Sequence, residues 1–159
     1  MAQTRMIRLT VNGETGSYTV PVRQNLVDFI RNDLGLTGSH VGCEHGVCGA
    51  CSIEVNGDLV RGCLMFAVQA DGAEITTIEG LAESGRGAAL RAAFTARNAL
   101  QCGYCTPGML ATALDYVEGG GAADRDAIRA HLSGNYCRCT GYQSIVDAVC
   151  DVIEGRVEA

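Results

Sequence analysis

The sequence predicts an α+β protein, with a strand-rich first half followed by an all-helical second half. Three observations carry this prediction. Two Asn-Gly dipeptides, Asn12-Gly13 and Asn56-Gly57, each divide short runs of strand-forming residues, a strong local hairpin signal. After Gly80 the chain turns to Ala and Leu at helical spacing. Eight of the nine cysteines form two sets, one in each half, and the two sets are spaced differently.

Met6 to Val11 alternates Ile7, Leu9 and Val11 against Arg8 and Thr10, and Tyr18 to Val22 supplies the return strand after the first Asn-Gly turn. Asn25 is placed to cap a helix over Leu26 to Leu34, where Leu26, Phe29, Ile30 and Leu34 recur at helical spacing. A Gly-rich loop from Gly35 to Gly49 follows. Ser52 to Val55 and Leu59 to Leu64 flank the second Asn-Gly turn, with Cys63 on the later strand, and Ile75 to Ile78 reads as a closing strand. Two hairpins on one helix describe a ferredoxin-like β-grasp domain over residues 1–81.

Residues 82–159 read as a four-helix domain. Leu90 to Leu100 predicts the first helix. Pro107 to Glu118 predicts the second, with Pro near its first turn where the missing N–H is least costly. Asp124 to Leu132 and Ser144 to Ile153 predict the third and fourth. Gly119-Gly120-Gly121 makes a joint without the surroundings of a phosphate loop. The domain boundary is expected near Ala82 to Gly87.

Composition narrows the classes. At 159 residues, with 47% hydrophobic and only 5% aromatic content, the chain has material for one domain or two small ones. Bound metal would add stability to cores of that size. A net charge of −6 and the lack of a basic cluster argue against nucleic-acid binding. No apolar run approaches the ~20 residues of a membrane span, and the start of the chain shows no secretory leader. A cytoplasmic protein is expected, in which dense cysteine reads as metal or redox chemistry before disulfides.

Cys43, Cys48, Cys51 and Cys63 form C-x4-C-x2-C-x11-C. The first three match the plant-type [2Fe–2S] spacing, which also needs a distant fourth cysteine. Gly42, Gly46 and Gly49 fit a loop wrapped round such a centre, where backbone N–H groups must approach sulfur and positive φ is needed. Zinc more often uses paired C-x2-C knuckles. Glu44 and His45 read as solvated loop residues.

The second set is Cys102, Cys105, Cys137 and Cys139, a C-x2-C followed at a distance by C-x-C. Each pair lies at or before an expected helix start, which favours thiolates and a bound anionic centre. The spacing alone leaves zinc as a competitor.

The strings GCEHGVCGAC, QCGYCTPGM and NYCRCTGY resemble the iron–sulfur small subunits of the molybdenum hydroxylases, the xanthine oxidase, aldehyde oxidase and aerobic carbon monoxide dehydrogenase family. The resemblance runs from Met6 to about Val152 and includes all eight cysteines; Tyr104 stands where Phe is common. It implies two [2Fe–2S] clusters that relay electrons. The Cys102, Cys105, Cys137 and Cys139 cluster would lie nearer a molybdopterin-type cofactor in a large subunit. The Cys43, Cys48, Cys51 and Cys63 cluster would lead to FAD in a medium subunit. It also implies that Gln101 contacts the pterin edge and that Cys139 lies near the pterin amine. The assembly would be a heterotrimer or a dimer of heterotrimers, with no catalytic residue on this chain.

The alternatives are a freestanding two-cluster ferredoxin and a zinc-stabilised interaction module. Cys150 reads as a buried small hydrophobe in the last helix, and His40 and His131 as isolated. Asp124, Asp126 and Asp147 read as cap or solvent-face residues. Arg138 could offset cluster charge or meet a partner.

Overall fold

The computed structural model describes residues 3–157, so the reading of the chain start falls partly outside it, at Met1 and Ala2. Strand β1 (Thr4–Val11) pairs antiparallel with β2 (Glu14–Pro21) along its whole length. The turn between them holds Asn12 at φ +50° and Gly13 at φ +85°, the double positive φ of a tight hairpin. As the alternation predicts, Ile7, Leu9 and Val11 are buried. Strands β3 (Ser52–Val55) and β4 (Asp58–Arg61) form the second hairpin, turned by Asn56 and Gly57.

Strand β5 (Glu74–Thr76) joins the hairpins, parallel to β1 and antiparallel to β3. The resulting order is β2-β1-β5-β3-β4. This is the expected β-grasp sheet. Its core holds Ile7, Leu9, Phe29, Ile30, Ile53 and Ile75.

Asn25 caps α1 (Leu26–Asp28) by accepting from the Asp28 amide at 2.8 Å. The predicted helix to Leu34 continues as a π turn over Phe29–Asp33, closed by the Leu34 amide on the Phe29 carbonyl. Both Phe29 and Ile30 remain fully buried. A 3-10 turn at Ala67–Ala70, unpredicted, covers another edge of this core.

The expected strand to Ile78 ends instead at Thr76, and Ile78 opens α2 (Ile78–Glu83). Side chains cause the change. The Asn12 carboxamide bonds both the amide and hydroxyl of Thr77 at 2.9 Å, and the Thr77 hydroxyl donates to Glu79 at 2.6 Å. This network turns the chain off the sheet at a fully buried threonine.

The remaining helices are α3 (Ala88–Ala96), α4 (Thr106–Glu118), α5 (Arg125–Leu132) and α6 (Gln143–Ile153). They enclose a second core around Leu90, Phe94, Met109, Ile128, Ile145 and Val149. Asp124 caps α5 through the Ala127 amide at 2.7 Å, while Asp126 and Asp147 pair with Arg129 and Arg125. Cys150 is buried in this core, and burial raises its thiol pKa.

Helix α4 packs against β3 and fixes one half on the other. Gly108 in its first turn lies so close to the Gly49 carbonyl that a Cβ would collide with it. Arg86 completes the junction, bonding Glu54 of β3 at 2.9 and 3.1 Å and Glu118 at the end of α4 at 3.1 and 2.5 Å.

Candidate metal centres

The first cysteine set lies on the long loop before β3 and on the turn after β4. Cys63 follows the end of β4 at Arg61, so it sits on a turn where the sequence pattern predicts a strand. Gly62 causes the turn. It is buried, its amide donates to the Cys51 carbonyl at 3.1 Å, and a Cβ there would press on Val27 and Ile53. That bond sets Cys63 beside Cys51.

Within the loop, Gly46 and Gly49 have φ of +82° and +76°, and a Cβ on Gly42 would lie 3.0 Å from the Cys48 sulfur. The amide of Cys48 donates to the Cys43 sulfur at 3.4 Å. The His45 amide, with those of Cys48 and Val47, outweighs burial and holds the Cys43 thiol down to about 6. Glu44 and His45 are exposed, as expected.

The second set is gathered by two loops. Cys102 and Cys105 immediately precede α4. Cys137 and Cys139 lie farther from their helix, because α6 starts only at Gln143. Their loop is instead braced by side chains. The Tyr142 hydroxyl accepts from the Cys137 amide at 2.9 Å, and the Thr140 hydroxyl donates to the Cys137 sulfur at 3.1 Å. Burial pushes the Cys137 thiol up, but the Thr140 hydroxyl and amide, the Cys139 amide and Cys105 together outweigh it and the net shift is downward. Cys102 and Cys139 bring their sulfurs to 3.6 Å on the exposed side. Gln101, also exposed, donates to the Cys139 carbonyl at 3.0 Å.

The thiols in each set meet as pairs. Cys51 neighbours Cys63, and Cys43 neighbours Cys48. Cys105 neighbours Cys137, and Cys102 neighbours Cys139. Among the described residues, no three of His, Cys, Asp and Glu converge as ligands of one ion would. Two thiol pairs per site suit two irons with two protein ligands each. Burial, with the neighbouring Cys63, pushes Cys51 up to about 11; burial, with Cys137, pushes Cys105 up to about 12. Thiols held protonated in this way release their protons to a cation that takes the proton's place. The donor set therefore fits a [2Fe–2S] cluster at each site.

The two sites also touch. The Tyr136 amide donates to the Cys48 carbonyl at 2.9 Å, joining the residue before Cys137 to a cysteine of the first set. Arg61 donates to the Gly134 carbonyl at 3.0 Å, and a Cβ on Gly49 would strike Gly134 and Asn135. Tyr104, between Cys102 and Cys105, donates its hydroxyl to the Val41 carbonyl at 2.7 Å. His40 and His131, read as isolated in the sequence, both have partners: His40 stacks on Tyr104, and His131 contacts Asp115 at 3.0 Å.

Residues 9–93 match the family model of the 2Fe-2S iron-sulfur cluster binding domain, and residues 77–150 match that of the [2Fe-2S] binding domain. The chain is 52% identical over 149 residues to the caffeine dehydrogenase subunit gamma of Pseudomonas sp. (strain CBB1), covering 91% of this chain and 88% of that one. It is 48% identical over 145 residues to the nicotine 6-hydroxylase small subunit of Paenarthrobacter nicotinovorans, covering 91% and 87%. The chain belongs to the iron–sulfur subunits of the molybdenum hydroxylases.

The solved structure of quinoline 2-oxidoreductase from Pseudomonas putida 86 superposes on this iron–sulfur subunit with a TM-score of 0.88 and 45% identity, over 98% of this chain and 96% of that one. The aldehyde oxidoreductase of Desulfovibrio gigas matches with a TM-score of 0.83, the subunit spanning 17% of that longer chain. The iron–sulfur subunit is thus the electron-carrying part of a molybdenum-containing oxidoreductase. Among its described residues, no helix is long and apolar enough to cross a membrane.

The sequence pattern did not single out Thr140, Tyr136 or His40 as functional. Thr140 follows the last cysteine directly, so its place in the motif could have marked it. Tyr136 likewise precedes Cys137 directly, whereas the contact of His40 with Tyr104 reaches across the fold and no local pattern records it.

Proposed function

We propose that Cys43, Cys48, Cys51 and Cys63 ligate one [2Fe–2S] cluster, and Cys102, Cys105, Cys137 and Cys139 a second. Through them this chain carries electrons from a molybdenum–pterin site in a large partner subunit to FAD in a medium partner subunit. The Tyr136–Cys48 hydrogen bond is the observation that carries the reading, because it links cysteines of the two sets by backbone and one short contact. The clusters supply one-electron chemistry. The protein holds the sulfurs, aims amides at Cys43 and shields Cys51 and Cys137 from water.

The exposed Cys102–Cys139 edge with Gln101 supports a large-subunit contact there, with Gln101 towards the pterin and Cys139 near its amine. Val47, Leu64 and Phe66 are 47%, 61% and 47% exposed on or next to the segments carrying the first set, which suits docking of the medium subunit. The assembly we propose is a heterotrimer or a dimer of heterotrimers. We place the domain boundary near Ala82 to Gly87, where α2 ends and α3 begins. A cytoplasmic location is part of this proposal, since dense cysteine reads as metal chemistry in a reducing compartment.

Relatives named for caffeine, nicotine and nicotinate, and a solved relative named for quinoline, support an N-heterocycle as the assembly's substrate class. The test is purification from the native host with iron, molybdenum and flavin analysis. Co-purification of a molybdenum chain and a flavin chain is expected. A stable lone monomer retaining both clusters would favour the freestanding ferredoxin instead.

A further inference from the structure

His40 stands at the neck of the first cysteine loop. Its backbone amide donates to the Ala50 carbonyl at 3.2 Å, closing the loop that holds Cys43 and Cys48. Its side chain leaves that loop altogether. The ring lies 4.5 Å from the Tyr104 ring, at 19° to it, and Nδ1 lies 2.7 Å from the Tyr104 carbonyl. With its proton on Nδ1, His40 donates to that carbonyl, which can only accept. The Tyr104 hydroxyl returns to the same loop by donating to the Val41 carbonyl.

The three contacts form a closed clasp between residues 40–41 and the middle of the Cys102–Cys105 loop. That loop needs holding. Cys102 is exposed, Gly103 sits at φ +81°, and Tyr104 is 49% exposed. Short exposed loops open locally at little cost unless contacts outside the loop restrain them. The companion Cys137–Cys139 loop has its own braces in Thr140 and Tyr142. The Cys102–Cys105 loop takes this brace from the other half of the molecule.

The geometry points to His40 and Tyr104 as positioning residues for the second centre: from the neck of the first cysteine loop they set where Cys102 stands opposite Cys139. This rests on the reading that both cysteine sets hold [2Fe–2S] clusters. It adds that the second centre depends on a residue of the first domain that ligates neither centre. The stack and the two hydrogen bonds act on the loop backbone, so their loss changes the second centre's ligand geometry while the first set keeps its own amide bonds.

The test uses the assembled enzyme with His40→Ala, Tyr104→Phe and the double substitution. Three quantities are read: iron content, the EPR signals and potentials of the reduced centres, and hydrogen exchange at the Thr106 amide, which bonds the Gly103 carbonyl across the loop at 3.1 Å. In the double variant, exchange there is expected to quicken about tenfold or more, the scale of losing an ordinary hydrogen bond. The second centre's EPR signal should broaden or its potential shift, with the first centre's signal unchanged. His40→Gln, which keeps a donor without the ring, should restore part of the exchange protection. If the double variant keeps wild-type exchange, signals and potentials, the clasp has no positioning role. Wild-type enzyme lacking two distinct S = 1/2 signals would instead overturn the cluster reading beneath it.

Discussion

The amide of Tyr136 meets the carbonyl of Cys48 at 2.9 Å, one residue before Cys137. A single hydrogen bond thus joins Cys48 to the residue next to Cys137, a cysteine assigned to the other centre. Tyr136→Pro removes the donor, since proline has no amide hydrogen, while Tyr136→Ala keeps it. In the assembled enzyme, rapid reduction at the molybdenum end should reach the first centre more slowly in the Pro variant. The Ala variant should match wild type. Time-resolved absorption and freeze-quench EPR measure both.

Gly108 and Gly49 set how closely the two halves approach. A Cβ at Gly108 would collide with the Gly49 carbonyl, a backbone atom that cannot swing aside. Gly108→Ala is expected to cost about 1–3 kcal/mol, as overpacking does. Denaturant unfolding of the cluster-loaded protein checks this. A midpoint equal to wild type would mean that the junction yields without strain.

Arg86 gives the junction an ionic lock. Its fork serves Glu54, whose side chain is 10% exposed, together with Glu118, and both hold its pKa above the ordinary value. Arg86→Ala strands Glu54 as a buried unpaired charge, which is unfavourable. The variant should melt at lower temperature, and Arg86→Ala with Glu54→Gln should recover part of the loss. A thermal-shift comparison of the two variants reads this directly.

Acid should loosen the helical half through Asp151. The Arg97 guanidinium, and then Arg156, hold its carboxyl below the usual range despite burial. A lowered folded-state pKa adds stability above the unfolded value of about 3.9, and that stability is lost as pH falls through the folded value. Asp151→Asn should therefore lower the melting temperature at neutral pH. The gap from wild type should close below about pH 4, as Asp151 itself takes up a proton. Melting curves across that range measure it.

The cysteine spacing made the two sites legible, and the Asn-Gly turns made the sheet legible, because each signal is local. Asn12 and Asn56 both adopt the positive φ such turns require. Helix α2 has no local signal, because its start depends on Asn12 reaching Thr77, a partner 65 residues away. The contacts of Tyr104 with His40 and Val41 span 64 and 63 residues, so no local pattern records them. The sequence pattern puts Cys63 on a strand because the apolar run continues past Arg61, whereas Gly62 packs against Val27 and Ile53 and turns the chain.

The division of eight cysteines into two separate centres is tested most directly by low-temperature EPR of the reduced assembled enzyme. Wild type, Cys43→Ser and Cys139→Ser should be compared, each with its iron content. Wild type should show two distinguishable S = 1/2 signals. Cys43→Ser should alter one signal and Cys139→Ser the other. If either substitution left both signals intact, or if wild type carried almost no iron, the assignment would be contradicted.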